Sequence, residues 1–145
     1  MNKLNGFCKE ERLCSKKLIE ELFSSGSKSV SVHPIRAVYR IGRYSSDATV
    51  SVMMSVSKRH FHNAVDRNRV KRQLRESYRL QKSVLLKAFK THPEDRMVIS
   101  FIWQDGKKYD TEVVMNKMKV VLQILAEKVA KKYSLDEKNK DEQGI

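Results

Sequence analysis

The stretch SVSKRHFHNAVDRNRVKRQLRESYRLQ, residues 55–81, decides how the rest of the chain is read. It begins as the end of a β-rich run and turns into a pattern of helical period. At about 100° per residue, Val70, Leu74, Ser77, Tyr78 and Gln81 fall on one narrow stripe suited to packing on a sheet. Arg67, Asn68, Lys71, Arg72, Arg75, Arg79 and Lys82 spread over the broad face beside it, with Arg69 further round. The spacing predicts a helix from about Asn63 to Lys82, with Phe89 as its furthest reach and an end before Pro93. Between Lys58 and Lys82 nine basic residues face only Asp66 and Glu76, which gives +7 of the chain's net +13. Like charges at Arg67, Lys71, Arg75 and Arg79 recur every four residues, at about 0.2–0.5 kcal/mol of repulsion per pair. A solvated face laced with Glu–Lys pairs is the plain alternative, but those partners are missing here. Self-repulsion on a folded element is relieved by a polyanion, and the preponderance of arginine favours bidentate phosphate contact.

The remaining composition agrees. The chain has 145 residues, 30 basic and 17 acidic, with 40% hydrophobic residues and a pI near 9.9. That is enough apolar material for one folded domain, expected over 1–133, followed by a disordered polar tail over 134–145. Its positive field attracts polyanions, nucleic acid first and an acidic membrane surface second. Cys8 and Cys14 lack the partners of a zinc site and suit a reducing compartment. The N-terminus has no apolar signal-peptide core and no run is long enough to span a bilayer, so a soluble, cytoplasmic protein is expected.

Around the basic helix the elements fall into order. Ser15 is a candidate N-cap for a short helix whose stripe is Leu18, Ile19, Leu22 and Phe23, with Gly26 as its stop. Ser29–Val32 reads as a short extended piece before Pro34. In IRAVYRI, Ile35, Ala37, Tyr39 and Ile41 face one way, and Arg36, Val38 and Arg40 the other. TVSVMMSVS follows a polar turn, and these two runs are expected to pair as an antiparallel hairpin. MVISFIW, Met97–Trp103, is a buried central strand. A last helix, from about Thr111 to Tyr133, puts Val114, Met118, Val121, Leu125 and Val129 on one face, and its late lysines suit the negative end of the helix dipole.

SVSKRHFHNAVDRNRVKRQLRESYR closely resembles the signature of the protein component of bacterial ribonuclease P, an SVSK[KR] segment, a turn, then AV-RNR-KR--RE on a helix. The likeness runs from about Arg12 to Tyr133. It implies an α+β fold, a two-layer αβββαβα sandwich like the second domain of ribosomal protein S5. The basic helix would lie on a left-handed crossover, although the general rule favours the right-handed connection. It also implies a monomeric protein subunit that binds a large catalytic RNA and the 5′ leader of precursor tRNA. Together they would form an endoribonuclease that removes the leader, with Mg²⁺ held mainly by the RNA. The RNA-binding positions carried over are Lys58, Arg59, Asn63, Arg67, Asn68, Arg69, Lys71, Arg72 and Arg75. A cleft between the first helix and the sheet would receive the leader, with Ile19, Phe23, Arg36 and Tyr39 as its candidates. Arg36 lies, by alternation, on the other face of its strand from Tyr39. Ile19 stands where many members carry an aromatic, and the turn KRHFHNAV is longer than usual and lacks the glycine common there. His60 and His62 read as solvated turn residues.

No catalytic constellation accompanies the basic helix. A two-metal nuclease needs clustered carboxylates, and the acidic residues are scattered along the chain or gathered in the tail. There is no H-E-x-x-H, no P-loop and no nucleophile with an obvious base. The chemistry expected of this chain is binding, with catalysis left to an RNA partner. A DNA-binding protein with the basic helix in the major groove is one rival, lacking a second helix at the right spacing. A structural RNA-binding protein of similar sandwich type is another.

Overall fold

The apolar run forms strand β4, Arg96–Trp103, which lies inside a four-stranded sheet. Met97, Val98, Ile99, Ser100, Phe101 and Trp103 are all buried, as a strand covered on both faces requires. The computed structural model describes residues 11–143 apart from 14, 25 and 45–47, with side chains through residue 135. Cys8 and Cys14 lie outside the described residues.

In chain order the elements are α1 (Lys16–Leu22), β1 (Lys28–Val32), β2 (Ile35–Gly42), β3 (Val50–Ser55), α2 (Ala64–Gln81), α3 (Ser83–Leu86), a 3-10 turn (Lys87–Phe89), β4 and α4 (Thr111–Gln143). This is the αβββαβα order, with the basic helix broken at Lys82. The sheet runs β1-β2-β4-β3. β1 and β2 form the antiparallel hairpin, β2 pairs antiparallel with β4 from Ile35↔Trp103 to Gly42↔Arg96, and β3 pairs parallel with β4. The expected β2–β3 hairpin is therefore incorrect. β4, apolar on both faces, gains most from the interior position and takes the place between them. As a result α2 is a crossover between neighbouring parallel strands, which anchors it at both ends.

Alternation along the strands divides the molecule. Ile35, Ala37, Tyr39, Val52, Ile99 and Phe101 face α2 and α4, where they join Val70, Leu74, Tyr78, Met118, Leu122 and Leu125 in the main core. Val38 and Val98 point to the opposite face and form a much smaller cluster with Leu13 and Leu22 beneath α1. Ser15 caps α1 as expected, its hydroxyl accepting from the Leu18 amide at 3.4 Å. Gly26, at φ +100°, provides the left-handed residue that turns the chain into β1.

The last helix runs through to Gln143 rather than ending near Tyr133. Residues 134–143, expected as a solvated tail, contain no glycine or proline, and their acids and lysines fall at helical spacing, such as Asp136 with Lys140 and Lys138 with Glu142. The lysines at 128, 131 and 132 thus lie roughly three turns or more before the end, beyond the reach of the terminal dipole.

Candidate nucleic-acid interface

Helix α2 is seated by Val70, Gln73, Leu74, Ser77 and Tyr78, all buried. Gln73, absent from the expected stripe, ties α2 to the start of α4 by donating to the Tyr109 carbonyl at 2.9 Å and the Thr111 hydroxyl at 3.3 Å. Gln81 does the same further along, donating to the Met115 carbonyl at 3.0 Å. A helix so clamped presents its outer cations at fixed spacing. Asn68, Arg69 and Arg72 are exposed on it, and Lys58, Arg59 and Asn63 are exposed on the turn before it. Asn63 occupies the N-cap position, but its side chain makes no capping bond. Among the described residues no carboxylate lies within ion-pair distance of Lys58, Arg59, Arg69, Lys71, Arg72 or Arg75.

Three of the cations expected on the open face are engaged inside the protein. The Arg67 guanidinium donates to the carbonyls of Phe61 and His62, both at 2.8 Å, and so holds the turn that precedes the helix. Phe61, inside the turn KRHFHNAV, is buried and pins that turn to the core. Arg79 grips Glu76 at 2.7 Å, and hydrogen bonds from Arg79 hold the Glu76 carboxyl below the usual range. Lys82, 3% exposed, reaches Glu11 at 2.7 Å. The row of unrelieved repulsion is therefore shorter than the sequence suggests, and only Lys71 and Arg75 remain of it.

Those two turn inward to a groove of about 390 Å³, shared with Arg12, Leu13, Val52, Met53 and Met54. Its outer wall is the segment before α1, which bridges to the open edge of β3 through the Leu13 amide and the Val52 carbonyl at 2.8 Å. In the sequence Arg12 marks only the start of the family likeness; it enters the groove through this isolated bridge rather than through a regular element.

The four expected leader-binding residues do not assemble as one cleft. Ile19 is partly buried against the small cluster under α1. Phe23 closes that helix and is 53% exposed, so it is not a core residue. Arg36 and Arg40 are on the α1 face, and Arg40 donates to the Glu21 carbonyl at 3.1 Å. Tyr39 is the correction. It is 4% exposed on the opposite face, within the main core, because strand alternation groups it with Ile35 and Ala37. Burial raises the pKa of its hydroxyl.

A chain named ribonuclease P protein component from Porphyromonas gingivalis is 46% identical over 80 residues, covering 55% of this chain and 58% of that relative. One of the same name from Chlorobaculum tepidum is 37% identical over 76 residues, covering 50% of this chain and 49% of the relative. The matched stretches thus span about half the length of these relatives. The fold resembles the RNase P protein of Thermotoga maritima, with TM-score 0.61, 21% identity, and coverage of 78% of this chain and 96% of that one. A Staphylococcus aureus RNase P protein gives TM-score 0.61 at 23% identity, covering 79% and 94%. The Ribonuclease P family model matches residues 7–126, most of the chain including the whole of the basic helix, and the chain belongs to that family.

Proposed function

We propose that the chain is the protein subunit of a ribonuclease P, binding the catalytic RNA through the outer face of α2 and assisting removal of the 5′ leader from precursor tRNA. The observation that carries this reading is a set of exposed cations without ion-pair partners among the described residues, Arg69 and Arg72 on α2 and Lys58 and Arg59 on the turn before it, in a segment fixed at both ends by the β3–β4 crossover. Fixed spacing suits the fixed phosphate spacing of a folded RNA, and a disordered tail lacks it. The leader would follow the groove of Lys71, Arg75, Arg12 and Met53 toward the α1 face, where Arg36 and the exposed Phe23 ring offer charge and stacking.

The reading leaves catalysis and Mg²⁺ to the RNA. Several of the described carboxylates are committed to protein partners: Glu11 to Lys82, Asp66 to Lys108, Glu76 to Arg79, Asp95 to Tyr133 and Asp105 to Tyr109. Among the described residues no group of three or more metal-ligating side chains is brought together. Such a protein acts by neutralising close-packed phosphates and aligning a substrate.

The test is reconstitution with a bacterial ribonuclease P RNA and precursor tRNA at low Mg²⁺. Cleavage should rise on adding the chain. Arg69→Ala with Arg72→Ala should weaken RNA binding and lower its log–log salt slope by about 0.7–0.9 for each phosphate no longer neutralised. No stimulation, together with an unchanged slope, would refute the reading.

A further inference from the structure

A second cationic surface lies at the other edge of the sheet. There β1 and β2 meet the late part of α4 and leave a groove of about 750 Å³. Lys28 lines one side, Lys128, Lys131 and Lys132 the other, and Tyr39 and Ile41 form its apolar floor. Among the described residues no carboxylate lines it, and none of the four lysines has an ion-pair partner. The lysines do not serve the helix dipole, since α4 continues to Gln143. Converging charges of one sign around a concavity raise the local potential and are stabilised by an anion.

We infer that this groove is a second binding site for RNA phosphates, separate from the α2 ridge. β1 and β3 are at opposite edges of the sheet, three strand spacings or about 14 Å apart, so one phosphate run cannot satisfy both surfaces at adjacent positions. The groove differs in chemistry too. Lysines on flexible stems take phosphates as point charges, without the planar geometry of arginine, so the backbone is held with little regard to sequence or exact fold. A concave slot at a sheet edge accepts a strand of nucleotides better than a flat bilayer. The phosphates come either from the catalytic RNA or from precursor tRNA.

The experiment uses the full chain with Lys28→Ala, Lys128→Ala and Lys131→Ala, three exposed positions whose replacement leaves the core intact; circular dichroism and thermal melting verify folding. Binding to the catalytic RNA alone, and binding of precursor tRNA by the reconstituted complex, are measured across salt concentrations. The expected result is a salt slope lower by about two and a 10- to 100-fold loss of affinity at low salt in at least one arm. The arm that responds identifies the source of the phosphates. Unchanged slopes in both arms, while Arg69→Ala/Arg72→Ala lowers its own, overturn this inference and leave the proposed function standing. If neither variant has an effect, both fail.

Discussion

The two faces of the sheet carry unequal shares of the apolar core. Under α2 and α4 lie Trp103, Tyr78, Phe101 and nearly all the large buried side chains. Under α1 the buried apolar set is Leu13, Leu22, Val38 and Val98, with Arg36 and Arg40 sharing the strand face. The first face stabilises the fold and the second is only thinly covered, which leaves room for a ligand. Holding a rigid cationic helix on the thick side and an open, partly polar surface on the thin side lets one small domain be stiff and receptive at once.

Five substitutions test that contrast. Lys82 and Glu11 tie the segment leading into α1 to the end of α2, so Lys82→Ala removes the ammonium that faces a mostly buried carboxylate and should cost about 3–5 kcal/mol in urea unfolding. Adding Glu11→Leu should restore most of it. Leu122→Ala, in the thick core, should cost about 2–5 kcal/mol, and Leu22→Ala, under α1, should fall at the low end of that range because α1 can settle onto the sheet. Equal losses would break the comparison. Phe23→Ala should weaken leader-bearing substrates by about 1–3 kcal/mol, the value of one stacked base, with leaderless tRNA unaffected. Equal effects on both would assign the ring to packing.

The smallest effect is electrostatic. Asp105 accepts from the Tyr109 hydroxyl, the His33 ring and the Lys107 amide, which hold its carboxyl at about 2 against an ordinary 3.8. A depressed carboxylate stabilises the fold fully above the ordinary value, and that stabilisation is lost as pH falls toward about 2. In Asp105→Asn the melting temperature should therefore fall less steeply through that window than in the parent chain. Parallel curves would show that Asp105 contributes nothing to the acid limb.

Much of this was legible in the sequence. The seat of α2, the Ser15 cap and the buried strand Arg96–Trp103 follow from local period and composition, which survive in any fold. The pairing of β2 with β4 was not, because alternation reports which face a residue takes and not which strand lies beside it. Tyr39 was misplaced for a related reason: its strand was clear, but which face α1 would cover is a tertiary matter. Arg67 and Lys82 looked like their basic neighbours, and only the positions of the Phe61 and His62 carbonyls and of Glu11 separate structural cations from available ones.

The placement of β4 also governs how the chain is made. It is the last strand to leave the ribosome and yet it lies between β2 and β3. Until residue 103 has emerged, β3 has no strand to pair with, and the arginine helix that follows it has no finished sheet to rest on. Before β4 emerges only β1 and β2 are neighbours along the chain, so the pairing of β3 and the seating of the arginine helix depend on contacts between parts distant in sequence, the kind that slow folding.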